Sequence, residues 1–247
     1  MRALGHAGLS DRGRVRGRNE DRWTADAERG LFVVSDGIGG ATAGELASEI
    51  VVEALPALIF ERLHGLENPA GPETVERVTA AIAELSDDLR KESAGKLGLQ
   101  GMGATVVVAL VEDGAALIAH MGDSRAYLWR EHTLKLLTRD HSLVQALLDA
   151  GETTVEQAAD HPARGQLTRH VGMQGDPLPD ARRLDLRAGD RLLLCTDGLT
   201  GMLDDRLLLL TLNEHPDPQG ACRALIDAAN EAGGADNITA LVVSYPP

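Results

Sequence analysis

"ATVVVALVEDGAALIAHMGDSRAYLWR" runs from Ala104 to Arg130. It contains three apolar runs, Ala104–Glu112, Ala115–Gly122 and Arg125–Arg130. Only short turns separate them, and Asp113–Gly114 has the composition of a tight hairpin turn. Hairpin-linked strands imply antiparallel sheets, with helices packed outside them.

Working outward, "RWTAD" (Arg22–Asp26) and "LFVVS" (Leu31–Ser35) read as strands on either side of a turn at Glu28–Gly30. "DRLLLCT" (Asp190–Thr196) and "NITALVVS" (Asn237–Ser244) complete the set. Helical patterns cover Ala43–Ile59, Thr74–Lys96, Ser142–Ala150, Asp204–Leu212 and Pro218–Ala232, with Asp217 as the cap of the last. Leu46, Ile50 and Leu58 fall on one face of the first helix, and Pro56 should kink it or start a new turn. Two long helices occur together and three strands follow in succession. A doubly wound parallel sheet is therefore disfavoured and an α+β class favoured. No repeat or linker divides the chain, which reads as a single domain over residues 1–247. Gly151–Pro179 is its least regular part and reads as a surface insertion.

The chain has 247 residues, 43% of them apolar, and a net charge of −14. Aromatic residues make up only 2%, so the core is aliphatic. An acidic chain of this kind argues against nucleic-acid binding and suits a protein that collects cations. Cys195 and Cys222 form no Cys-x-x-Cys pair and read as buried thiols of a reducing compartment. The eight histidines show no ligand spacing, which disfavours zinc. No membrane span or signal peptide is visible, so a cytoplasmic location is the expectation.

One arrangement recurs: an apolar strand that ends on a carboxylate. Asp36 follows "LFVVS", Asp197 follows "LLLCT" and Asp123 follows "IAHMG"; Asp236 precedes the final strand, and Glu20 and Asp21 precede "RWTAD". A single Asp-Gly is ordinary turn chemistry. Several in one chain, each after an apolar strand, point instead to carboxylates converging when sheets pack face to face. Such a cluster needs a counter-ion. Oxygen ligands favour hard cations such as Mg²⁺ or Mn²⁺, and glycine after aspartate lets a backbone carbonyl approach the ion. Other chemistries fail on the residues. Gly39–Gly44 has P-loop spacing but continues with Glu45 and Leu46 where lysine and Ser/Thr are required. "GDSRA" (Gly122–Ala126) ends on alanine where a hydrolase elbow needs glycine.

"RGRNED", "SDGIGG", "GATVVVA", "GDSRAY", "DHSLV", "QLTRHVG", "LLLCTDGLTGML" and "GGADNIT" occur in this order. In that order they resemble the PP2C-like (PPM) metal-dependent serine/threonine protein phosphatases of bacterial type, over about residues 6–244. The resemblance implies a four-layer αββα sandwich of two antiparallel sheets flanked by helices. It also implies two Mn²⁺ or Mg²⁺ ions bridged by a water whose hydroxide attacks phosphorus. Carried over by position, Asp36 would bridge both ions and Gly37 would offer its carbonyl to one. Asp197 and Asp236 would hold the other. Asp21, with Glu20, would act on the first ion through its waters. Asp123, sharing Asp197, would help bind a third, weaker ion. Arg16 would grip the substrate phosphate; Arg12, Arg14, Arg16 and Arg18 alternate and would share one face if they lay on a strand.

Two departures leave the general acid unassigned: Ile38 stands where some relatives carry histidine directly after "DG", and Ala41 where bacterial relatives often carry it after "DGxGG". His161 and His170 lie in the irregular segment, where a packing role is favoured over catalysis. Gly151–Pro179 corresponds to the flap beside the active site. The implied substrates are phosphoserine and phosphothreonine proteins, with a cognate Ser/Thr kinase as the opposing partner and the enzyme acting as a monomer. A phosphatase of an anti-sigma-factor antagonist circuit is an alternative, and the absence of a visible sensor domain favours the kinase-opposing role over it. A non-catalytic phosphoprotein-binding scaffold is another alternative, which the intact carboxylates disfavour.

Overall fold

In the computed structural model the described residues are 4–39, 42–66, 71–159, 161–175 and 177–246. Ala41, one of the two departures in the acid position, lies outside them. In chain order the elements are β1 (Gly5–Asp11), β2 (Asp21–Asp26), β3 (Leu31–Ile38), α1 (Ala43–Leu63) and α2 (Pro72–Ser93). They continue with β4 (Gly103–Ala104), β5 (Val106–Glu112), β6 (Ala115–Met121), β7 (Arg125–Arg130) and β8 (Thr133–Leu136). Next come α3 (Leu143–Ala150), α4 (Val155–Ala159), β9 (Asp180–Asp185) and β10 (Arg191–Cys195). The chain closes with α5 (Asp197–Thr200), α6 (Asp205–Glu214), α7 (Pro218–Glu231) and β11 (Ile238–Ser244).

One sheet has the order β1-β11-β10-β7-β8 and the other β2-β3-β5-β6-β9, with β4 paired to β3. Every strand pairing is antiparallel. The β5–β6 hairpin turns at Asp113 and Gly114, both at positive φ (47° and 83°), as a two-residue primed turn requires.

Alternation along the central strands builds the layers. Leu31 and Val33 of β3 face α1 and α2, whereas Phe32 and Val34 face the other sheet. On β11, Leu241 and Val243 join that inter-sheet core, while Ile238, Ala240 and Val242 pack with α6 and α7. Because both faces of these strands are covered, they read in sequence as unbroken apolar runs. Three cores separate four layers, helix, sheet, sheet, helix, as the resemblance implies. No helix among the described residues is long and apolar enough to cross a membrane.

Several local expectations need correcting. Alpha-helix α1 runs through Pro56 to Leu63 without stopping, and its buried face is Ala43, Ala47, Val51, Leu55 and Ile59. Leu46 is exposed, and Ile50 and Leu58 only flank the core. The helix is apolar around much of its circumference, so periodicity alone selects the wrong stripe. The sequence reading omits β1, β8 and β9. All three lie at sheet edges, where one side is solvated and the apolar pattern is weak. The Cys195 and Cys222 thiols are free and buried, as read.

Candidate active site

In an antiparallel pair the end of one strand lies beside the start of the next. Asp36, near the end of β3, sits in register with Asp21, the first residue of β2. Asp197 follows the end of β10, Asp236 precedes β11, and Asp123 lies in the turn from β6 to β7. The two sheets thus bring these side chains to one edge of the sandwich. Two hydroxyls join the sheets there: Thr196 Oγ1 and Thr239 Oγ1 both donate to Asp21 Oδ2 at 2.8 Å. Asp36 and Asp197 stand close enough for the charge of Asp197 to act on Asp36.

The electrostatics are those of a site too rich in negative charge to stand alone. Burial, then the charges of Asp21, Asp197, Asp123 and Asp236, pushes Asp36 well above the usual carboxylate range. Burial pushes Asp21 up to about 7 against the opposing effect of its two threonine donors. Asp123 is pushed up to about 8 by burial and by Asp197. Burial also raises Asp197, with Asp236 adding to it, and raises Glu20. Asp21 Oδ1 and Asp197 Oδ1 are buried with no protein hydrogen-bond partner. Like charges directly opposite on a ladder, with orphaned buried oxygens, fit a site for divalent cations, and the donors are all hard oxygens.

The cysteines take no part. Cys195 Sγ belongs to the core under α6 and α7, and burial pushes its thiol up to about 12. The fold does bring together histidines that sequence spacing keeps apart. Ligand atoms of His120, His141 and Asp180 lie within 4.8 Å of one another. However, the Gly122 amide donates to His141 Nδ1 (3.2 Å), which places the ring proton on Nε2, facing Asp180 Oδ2 at 3.2 Å. A protonated Nε2 has no lone pair to offer an ion, so the cluster is better described as a histidine–carboxylate pair.

The backbone around the acids is closely packed. A Cβ on Gly37 would stand 2.0 Å from the Gly44 carbonyl oxygen of α1, and one on Gly198 would stand 1.9 Å from the Asn237 carbonyl oxygen. Both Asp-Gly glycines are therefore required by the approach of neighbouring backbone. Thr105 ties the end of β3 to the Asp123 turn: it accepts from the Asp36 amide (3.0 Å), and its hydroxyl meets Ser124 Oγ at 2.6 Å. The sequence reading missed Thr105, Thr196, Thr239 and Asn237. Thr196 and Thr239 flank Asp197 and Asp236 by one and three residues, which is the signal that was available.

Arg12, Arg14, Arg16 and Arg18 do not lie on a strand. Strand β1 ends at Asp11 and β2 begins at Asp21, and the four arginines occupy the exposed loop between them. The turn begins at Gly13 (φ 78°), so the common face expected from alternation does not form. Arg16 Nη2 meets Asp236 Oδ2 at 2.7 Å, which brings its guanidinium to the acidic edge. The Glu20 side chain lies against Gly44 in the first turn of α1.

Between β8 and β9 the insertion carries α3 and α4. A cleft of about 490 Å³ separates these helices from α5 and opens beside Asp123 and Asp197; Val144, Leu148, Val155 and Met202 supply apolar wall. His161 Nδ1 accepts from the Ala163 amide (3.1 Å), and His170 Nδ1 meets the Val171 carbonyl (3.0 Å) against Gly103. Both rings have local structural contacts. Ile38 is a strand residue paired with Gly103.

The sequence model of the Protein phosphatase 2C family matches residues 13–229. The chain belongs to the PP2C family. It is 36% identical over 241 residues to the serine/threonine phosphatase stp of Listeria monocytogenes, covering 95% of this chain and 93% of that one. It is 36% identical to the serine/threonine protein phosphatase PstP of Mycobacterium tuberculosis, covering 97% of this chain and 44% of that longer protein. The solved catalytic domain of PstP, in complex with two manganese ions, superposes with a TM-score of 0.85 at 33% identity, covering 99% of each chain. The two-sheet sandwich is thus a PP2C fold. Like its PP2C-family relatives, the protein is a metal-dependent serine/threonine protein phosphatase, which acts on phosphoserine and phosphothreonine of proteins.

Proposed function

We propose that the acidic edge is the PP2C metal site of this chain and that Arg16 is its phosphate ligand. Asp36, Asp197 and Asp236, with the Gly37 carbonyl, would hold two ions, Mn²⁺ or Mg²⁺. Asp21 and Glu20 would support them, and Asp123 would help hold a third, weaker ion. The observation that carries this reading is the meeting of carboxylates from both sheets at one edge, with the buried Asp21 Oδ1 and Asp197 Oδ1 unpartnered. Two bound manganese ions in the PstP domain support it.

Bound divalent ions supply Lewis acidity, activating water and neutralising charge on the phosphoryl group. The chain's own residues position the reactants. Asp36 is held from its backbone by Thr105, whose hydroxyl accepts from its amide. Arg16 presents a planar fork suited to two phosphate oxygens. No side chain of the described residues takes the nucleophile's role in this reading, and water in the site replaces the histidine acid that Ile38 lacks.

The flap with its cleft would select among phosphoproteins, and a cognate Ser/Thr kinase would supply them. We place the enzyme in the cytoplasm, a reading supported by its two free buried thiols, and take it to act as a monomer.

Hydrolysis of p-nitrophenyl phosphate and of a phosphothreonine peptide with Mn²⁺ tests the assignment. EDTA should abolish turnover, and Asp36→Asn should lower kcat by about a hundredfold or more. Turnover that persists in either condition would remove Asp36 from the metal site.

A further inference from the structure

We infer that Asn237 is a positioning residue for phosphate recognition: its buried amide closes the Arg12–Glu20 loop and thereby sets the place of Arg16. This rests on the reading of Arg16 as the phosphate ligand. Asn237 is 5% exposed, and both ends of its amide are used. Nδ2 donates to the carbonyls of Arg12 (2.9 Å) and Arg18 (2.7 Å), while Oδ1 accepts from the Glu20 amide (2.8 Å). A single nitrogen thus binds carbonyls on the two stems of the loop, and Arg16 lies between them. Two further side-chain bonds cross the loop, Asn19 Nδ2 donating to Ser10 Oγ (2.8 Å) and the exposed Arg12 Nη1 to the Gly17 carbonyl (3.4 Å), whereas Gly13 N–H to Asp11 Oδ1 (2.8 Å) and Arg14 N–H to the Gly234 carbonyl (2.7 Å) hold the first stem alone. The Arg18 and Glu20 side of the loop is joined to the 233–237 turn through Asn237.

The chemistry demands an amide here. Two carbonyls require a double donor, and the Glu20 N–H requires an acceptor on the same side chain. Only Asn or Gln offers both, and the backbone spacing suits the shorter. Aspartate would keep the shape and the Glu20 bond but would set an oxygen against two carbonyl oxygens. Arginine recognition of phosphate needs a fixed guanidinium, since a displacement of about 1 Å is costly.

The experiment is a double-mutant cycle read in KM. Arg16→Ala, Asn237→Ala and Asn237→Asp are assayed with p-nitrophenyl phosphate, alone and as the Arg16→Ala/Asn237→Ala pair, with Tm and Mn²⁺ half-saturation recorded for each. The expected result is a rise of about tenfold in KM for each single variant, with Mn²⁺ half-saturation within about twofold of wild type. The pair should be no worse than Arg16→Ala, because Asn237 acts through Arg16. An Arg16→Ala enzyme with unchanged KM would refute the phosphate-ligand reading itself. A normal KM in Asn237→Ala, multiplying effects in the pair, or a change confined to Mn²⁺ half-saturation would refute the positioning role alone. Loss of the folding transition in both Asn237 variants would make Asn237 a residue of the fold and overturn the inference as well.

Discussion

His141 shows what a single buried residue contributes when its neighbours are arranged around it. It stacks on His120 with ring centroids 4.5 Å apart, accepts from the Gly122 amide and faces Asp180. Asp180 is itself held by Arg169, and burial followed by the His120 charge pushes His141 down to about 4. The unfolded chain takes up this proton near pH 6.5, whereas the folded chain resists it to about pH 4. Stability present above about pH 6.5 is therefore lost as the pH falls through that window, because the unfolded state binds more protons. The buried carboxylates act in the opposite sense, so the prediction is a difference between proteins. Relative to wild type, His141→Gln should show a shallower fall in Tm between about pH 6.5 and 4. Parallel Tm curves for the two proteins would show that the proton is taken up elsewhere.

Among the elements, the contact of β3 with α1 decides whether the acidic edge can form. Gly37 lies against the Gly44 carbonyl oxygen, and the Gly37 amide donates to the Glu20 carbonyl at 3.1 Å. Gly37→Ala would force the helix start away from the strand end. We expect a loss of about 1–3 kcal/mol, the usual cost of overpacking, measured by urea unfolding. Activity should fall further than stability, because Asp36 is the adjacent residue. Wild-type stability in this variant would mean that α1 can shift freely. The same scale explains the omissions of the sequence reading. Strand β9, "DARRLD", is an edge strand whose residues are half or fully exposed, so it carries no apolar alternation. In β1, Gly8 stands where a Cβ would meet the Trp23 ring at 2.6 Å, a reason for glycine that no local pattern reveals.

For the molecule as a whole, metal binding and folding are linked, because only the packed sandwich brings the carboxylates of both sheets together. Mn²⁺ at about a hundred times its dissociation constant should stabilise the fold by about 2.7 kcal/mol. For a chain of this size that corresponds to a rise in Tm of roughly 5–10 °C. The rise should grow from about pH 5 to about pH 8, since Asp21, Asp36, Asp123 and Asp197 all hold protons more tightly than free carboxylates and must release them to bind an ion. Asp36→Asn should lack most of the shift. Equal Tm with and without Mn²⁺ in the wild-type protein would argue against a site formed by folding.

The sequence by itself determined the central strands, the antiparallel hairpins and the identity of the acidic residues. Each of these is written locally, as an apolar run, a turn dipeptide or a carboxylate at a strand end. Tertiary structure alone decided which of them meet. Asp21 and Asp36 are opposed by strand register, Thr196 and Thr239 reach Asp21 across the two sheets, and Asn237 holds a loop more than two hundred residues earlier in the chain. It also decided that Arg12 to Arg18 form a loop, against their strand-like alternation. Hydrogen bonds and charges act over a few ångströms, and residues far apart in the chain come within that range only after the sheets pack.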